Sequence, residues 1–298
     1  MAEEELIAKY SKTIPGISIM FPMENWMQFM TEDGIFLHTY RYPCSNPRGV
    51  AVFFHGMNSY TQPSGIIAKH LSLIGCETVG YDQRGHGKSG GLRGYVPSIE
   101  ILVKDALDFI EEVEKLYRGL PMFLLGGSMG GTIVLNLSIR IPEKIAGVIL
   151  INPAIGLHTN FECMLRCLTT CFSSCMPTVG VIKGDLSRSS KNTTLHKYME
   201  ENPFYYHGRV KIGTSSAILR AMKAIRDEYP KFTHRVLVIQ GCDDFVTSVK
   251  RVNEFMKSIS VQDKTLLMYP GLPHSILFEE AVIDISEKIK KWVDEKIS

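Results

Sequence analysis

The segment Gly126-Gly127-Ser128-Met129-Gly130 reads G-x-S-x-G, directly after the apolar run 122–125 and directly before a stretch of helical character. A strand that turns sharply into a helix leaves a serine hydroxyl exposed at its apex. Small neighbours (here Gly126 and Gly130) let the backbone make that turn, and the helix N-terminus aims free N–H groups at developing negative charge. Serine at such a corner is a nucleophile for acyl transfer. It needs a base, and the base needs an acid to orient it.

Where this corner carries a triad, the chain order is Ser, then Asp or Glu, then His. After Ser128, the apolar run 236–240 ends in Gly241-Cys242-Asp243-Asp244, and the run 265–269 ends in Pro270-Gly271-Leu272-Pro273-His274. Both place their polar residues in loops at the carboxyl ends of strands, where open sheets hold their sites. His158, His196, His207 and His234 lie outside such loops, so His274 is the candidate base. Spacing alone leaves Asp243 and Asp244 equivalent.

A tetrahedral oxyanion calls for two backbone N–H donors, one after the nucleophile and one from the first strand–helix loop. Those positions are Met129 and Met57, the latter in His55-Gly56-Met57-Asn58. His55 and Gly56 read as residues that shape the loop. Gly87-Lys88-Ser89 ends like a phosphate-binding loop, but the glycine needed five residues earlier is Asp82, so no phosphate cradle is expected.

The elements that must carry these residues alternate along the chain. Strand-like runs at 49–54, 77–81, 122–125, 146–151, 236–240 and 265–269 are nearly continuous in apolar character, as parallel strands covered on both faces should be. Residues 26–30 and 35–42 flank Asp33-Gly34 and suggest an antiparallel hairpin. Helical periodicity is clearest at 99–116 and 281–297. The expected fold is α/β, a mostly parallel eight-stranded sheet flanked by helices. One domain fills 1–298, with a core of 1–155 and 233–298 and a helical insertion at 156–232 in which no convincing strand appears.

Composition narrows the field of function. The 298 residues carry 33 Lys/Arg against 31 Asp/Glu, a net charge of +2, which excludes a strongly basic nucleic-acid footprint. The insertion differs, with 11 basic and 6 acidic residues. The start Met1-Ala2-Glu3-Glu4-Glu5 is acidic with no apolar run behind it, and no stretch approaches the ~18 apolar residues of a bilayer span. Seven cysteines read as reduced thiols, so a cytoplasmic protein is expected.

With those residues in place, the chain resembles the monoacylglycerol lipase-like α/β-hydrolases, particularly the lysophospholipase and caffeoylshikimate-esterase type. The likeness runs from about residue 24 to residue 292. It rests on His55-Gly56-Met57, the loop from Asp82 to Tyr95 with Gly85, His86 and Gly87, and Gly126 to Gly131. Further on it rests on Asn202-Pro203, Gly241 to Asp244, 263–266, and Tyr269 to His274.

The resemblance implies that the acid stands three residues after Gly241, which selects Asp244. It implies that 156–232 is a lid over an acyl-chain pocket. It also implies a serine carboxylic-ester hydrolase acting on monoacylglycerols or lysophospholipids through an acyl-enzyme, with no metal or organic cofactor. A phenolic-ester esterase, an acyltransferase and a hormone-binding relative with weak hydrolysis are compatible with the same residues. Departures from the family pattern concentrate in the lid, where Cys163, Cys167, Cys171 and Cys175 repeat every fourth residue. On a helix such a row makes an apolar stripe, which suits burial or peripheral membrane contact better than a tetrahedral metal cage.

Overall fold

The computed structural model describes residues 3–17, 22–158, 162, 169, 172–183 and 185–297. Its main sheet has eight strands: β1 (Met23–Glu24), β2 (Thr39–Tyr42), β3 (Gly49–Phe54), β4 (Cys76–Tyr81), β5 (Met122–Gly127), β6 (Gly147–Ile151), β7 (Val236–Gly241) and β8 (Lys264–Tyr269). Their spatial order is β1-β2-β4-β3-β5-β6-β7-β8. Every pairing from β4 to β8 is parallel, while β1 and β2 add an antiparallel edge. The carboxyl ends of the parallel strands therefore share one rim, and every candidate residue sits on it.

Strand alternation divides the interior into two layers. Val50, Val52 and Phe54 of β3 face one core with Leu102, Phe109, Ile110 and Val113 of α3 (Ile99–Leu116). Ala51 and Phe53 face the other, against Ile67 and Leu71 of α2 (Gly65–Ser72). α3 has the bounds its periodicity predicts, and the Ser98 hydroxyl caps it by accepting from the Ile101 N–H.

Tertiary contacts alter two expectations and add one element. The hairpin around Asp33-Gly34 is short, pairing Phe29–Met30 with Phe36–Leu37 only. Beyond it Thr39–Tyr42 leaves the hairpin to become β2, paired on both sides, because Tyr40 and Tyr42 bury completely there. The insertion also contains strands after all: Gly180–Ile182 pairs with Val210–Lys211. Two- and three-residue strands carry too little apolar alternation to stand out in a sequence. The added element is α1 (Glu3–Tyr10), whose Leu6, Ile7 and Tyr10 bury against Tyr60, Tyr198 and Tyr205.

Between β6 and β7 the described helices continue the series after α4 (Met129–Arg140), as α5 (Leu186–Ser189), α6 (Thr193–Glu201) and α7 (Ile212–Glu228). They are followed by α8 (Val249–Ser258) and α9 (Val282–Asp294). The insertion is tied to the rim at several points. Leu157 bridges Thr247, the Ser275 N–H donates to the Ser189 carbonyl at 2.7 Å, and the Tyr206 N–H donates to the Asn58 carbonyl at 3.0 Å. Among the described residues no helix is long and apolar enough to cross a membrane. Cys163, Cys167 and Cys171 lie outside the described residues, and Cys175 is exposed.

Candidate active site

Ser128 stands between β5 and α4 with φ +50° and ψ −118°, a conformation that costs an L-residue about 1–3 kcal/mol and persists only where the surroundings impose it. Those surroundings are visible. Ser128 N–H donates to the Ile151 carbonyl at 3.0 Å, and its own carbonyl accepts from Gly131 and Ala154 N–H, both at 2.9 Å. The flanking glycines are dictated by close approach. A Cβ on Gly126 would come within 2.5 Å of the Gly130 carbonyl oxygen, and one on Gly130 within 2.0 Å of the Phe54 oxygen.

His274 follows β8 and turns its ring toward this corner. Its Nε2 lies 3.1 Å from Ser128 Oγ, and its Nδ1 lies 2.8 Å from Asp244 Oδ2. With Nδ1–H donating to the carboxylate, Nε2 is left as the acceptor for the serine hydroxyl. The Asp244 side chain is fully buried. Its Oδ1 accepts from Val246 and Thr247 N–H at 2.7 and 2.8 Å, and its Oδ2 accepts from the Thr247 hydroxyl at 2.5 Å. Burial opposes its charge, but His274 and the Thr247 donors outweigh burial and hold the carboxyl below its ordinary range. Asp243 points elsewhere, is half exposed, and comes no closer than 4.0 Å to the Lys191 ammonium.

Met57 lines both cavities that meet Ser128, and Met129 lines the smaller of them. Neither backbone N–H donates to another described backbone group outside its own element. The loop before Met57 is held by His55. Its Nδ1–H donates to the Gly56 carbonyl at 2.7 Å, while its Nε2 accepts from the Gln83 N–H at 2.9 Å. A side chain on Gly56 would crowd the serine, since its Cβ would meet Ser128 Cβ at 3.0 Å.

Two cavities meet Ser128. The larger, about 170 Å³, is walled by Phe53, Tyr60, Met199, Tyr205 and Phe278 beside His274. The smaller, about 50 Å³, lies among Met129, Leu157, Val210, Ile218 and Met222. A more open groove of about 870 Å³ passes Pro121 and Ala146, near the amino ends of β5 and β6, and so at the opposite end of the strands from Ser128.

A profile of the family described as serine aminopeptidase, S33, matches residues 45–281. The chain belongs to this family. It is accordingly a serine hydrolase with the α/β-hydrolase fold. The chain is similar to rat (Rattus norvegicus) monoglyceride lipase, 28% identical over 281 residues that cover 93% of each protein. It is also similar to Arabidopsis thaliana caffeoylshikimate esterase, 27% identical over 84% of this chain and 79% of the relative. Among solved structures, a soluble variant of Saccharomyces cerevisiae monoglyceride lipase with a substrate analogue superposes with a TM-score of 0.82. That pair is 25% identical, over 91% of this chain and 95% of the other.

Within this S33-family hydrolase, several residues that support the site escape sequence reasoning. Gln240 and Thr247 hold Asp244, and Asn152 reaches the His274 loop. Asn152 alone leaves a trace in the sequence, as a polar residue closing the apolar run 146–151.

The loop after β4 packs on His55 and makes stability depend on pH. Burial first, then the neighbouring His86, pushes His55 down to about 3, and burial pushes His86 down to about 4. In the unfolded chain both would titrate near 6.5. Between those values the unfolded state binds more protons than the folded state, so stability rises with pH through this window and falls on acidification. Asp82 works the other way. Burial lifts it to about 6 despite donation from Thr61 and Lys88 N–H, so the folded state holds the extra proton between about 4 and 6. Two histidines outweigh one carboxyl. The urea midpoint is expected to drop between pH 6.5 and pH 4.5, and His86→Gln to make that drop shallower. An unchanged slope in the variant would remove His86 from the account.

Proposed function

We propose that this serine hydrolase is a carboxylic-ester hydrolase that cleaves monoacylglycerols or lysophospholipids through an acyl-enzyme intermediate. The observation that carries the reading is the unbroken hydrogen-bond chain from Ser128 through His274 to Asp244, at 3.1 and 2.8 Å, beside apolar cavities. In the proposed reaction Ser128 Oγ attacks the ester carbonyl while His274 Nε2 takes its proton. Asp244 keeps the imidazole in the tautomer that can accept, and stabilises the imidazolium that forms. Met57 and Met129 N–H groups receive the oxyanion. His274 returns the proton to the departing alcohol, and water activated by the same imidazole releases the acid.

Two of the three similar proteins are named as monoglyceride lipases, which supports a lipid ester as substrate, and the cavity walls suit an acyl chain. In this reading residues 156–232 form a lid. Its attachments to the loops of Asp244, His274 and Met57 would let lid position and site geometry change together. A panel of monoacylglycerol, lysophosphatidylcholine, short p-nitrophenyl and caffeoyl esters tests the assignment. The two lipid esters are expected to give the highest kcat/KM, and a preference for the caffeoyl ester would overturn it.

The lid also favours contact with a lipid surface. Phe172, Met176 and Val179 are all more than two-fifths exposed in a segment of net positive charge. Each Lys or Arg held near anionic lipid contributes about 1 kcal/mol. Co-sedimentation with anionic vesicles is expected, weakened by salt and by Phe172→Ser with Met176→Ser. Protein that stays in the supernatant with every vesicle composition would mean that the lid only covers the pocket.

A further inference from the structure

β6 lies between the strands that lead to Ser128 and Asp244 and supplies none of the three reacting side chains, yet it ends at the centre of the site. Its last carbonyl, from Ile151, accepts the Ser128 N–H at 3.0 Å. The next residue, Asn152, is 1% exposed and has φ +41°. Asparagine tolerates that region better than most residues, but Pro153 follows it, and a residue before proline is pushed toward extended backbone. The pre-proline preference is overridden here, which is the kind of strain that surrounding structure imposes at functional positions.

The side chain shows what is gained. Asn152 Oδ1 accepts the Gly241 N–H at 2.8 Å, and its backbone N–H donates to the Ile239 carbonyl at 2.9 Å. Both partners are on β7, three and five residues before Asp244. On the other side Asn152 Nδ2 donates to the His274 carbonyl at 2.6 Å and to the Pro273 carbonyl at 3.3 Å. One carboxamide thus joins the strand that leads to the acid with the backbone of the base, one residue after the strand end that holds the nucleophile. Glycine would fit φ +41° with less strain, yet only a short side chain with an acceptor and a donor can make this bridge.

We propose that Asn152 is a positioning residue for the hydrolytic reaction: it holds His274 at the distance from Asp244 and Ser128 at which the proton can pass. The proposal rests on the reading of those three residues as the catalytic set. Asn152 touches no reacting atom; it fixes where the imidazole stands.

Asn152→Gly removes the bridge while suiting the backbone. Its kcat per folded enzyme is expected to fall about 10- to 100-fold with KM within about threefold, since a misplacement near 1 Å at a reacting group costs on that order. Asn152→Asp is the companion variant. It keeps the acceptor for Gly241 but sets a carboxylate against two carbonyl oxygens, near an imidazole that must be neutral to act. That charge favours imidazolium, so the acidic limb of the kcat/KM profile is expected to move up by about half a pH unit or more.

A purely structural role is separated by Val113→Ala, a cavity in the buried α3 layer, which lowers stability but leaves kcat per folded enzyme and the pH profile at the wild-type values. Wild-type kcat per folded enzyme in Asn152→Gly, alongside an inactive Ser128→Ala, overturns the role of Asn152 alone. An active Ser128→Ala overturns the catalytic set itself.

Discussion

Ser128→Ala is expected to lower kcat by about 10⁶-fold, roughly 8 kcal/mol of transition-state stabilisation, because nucleophile and base act as one unit. A fluorophosphonate should label the wild-type chain at Ser128 and leave the variant unlabelled. The fold should survive. The backbone bonds that hold residue 128, from its N–H to Ile151 and to its carbonyl from Gly131 and Ala154, involve no serine side chain. Ser128→Gly sharpens the test. At φ +50° glycine relieves strain, so this variant is expected to be equally inactive but more stable by about 1 kcal/mol, or about 2 °C in Tm. Full activity in either variant, or labelling at another serine, would show that the elbow is only a strand–helix turn.

The second large effect separates two adjacent carboxylates. Asp244→Asn is expected to cost about 10⁴-fold in kcat, and Asp243→Asn less than about threefold. In the Asp244 variant Oδ1 still has the Val246 and Thr247 N–H groups as its donors, so the new amide nitrogen must occupy the Oδ2 position facing His274 Nδ1. Two N–H groups cannot share that bond. The imidazole would shift its proton to Nε2 and could no longer accept from Ser128. His274→Ala should match Ser128→Ala, and the double variant should cost little more than either alone. A larger loss in Asp243→Asn than in Asp244→Asn would mean that the loop after Gly241 adopts another register during turnover.

The amino-acid sequence by itself determined the elements whose signals are local. α3 has the 3.6-residue stripe from Leu102 to Val113 and a serine cap, and its observed bounds equal the expected ones. The parallel strands appeared as apolar runs because both faces are covered, and Ser128 was legible because the glycines around it answer to backbone packing within a few residues. His274 and the Asp243–Asp244 pair were legible as polar residues just past strand ends.

Tertiary structure decided whatever depends on partners distant in sequence. Residues 243 and 244 have the same chemistry, and only the orientation of the loop, with Val246 and Thr247 donating to one and solvent reaching the other, tells them apart. β2 left its hairpin because β1 and β4 offered hydrogen bonds on both edges, and no local pattern encodes that choice. The short ribbon in the insertion, the burial of α1 against the tyrosines of α6 and its neighbours, and the bridge from Asn152 to His274 across 122 residues belong to the same class. A periodicity reports which face of an element turns inward; it carries no information about which distant backbone carbonyl will be waiting there.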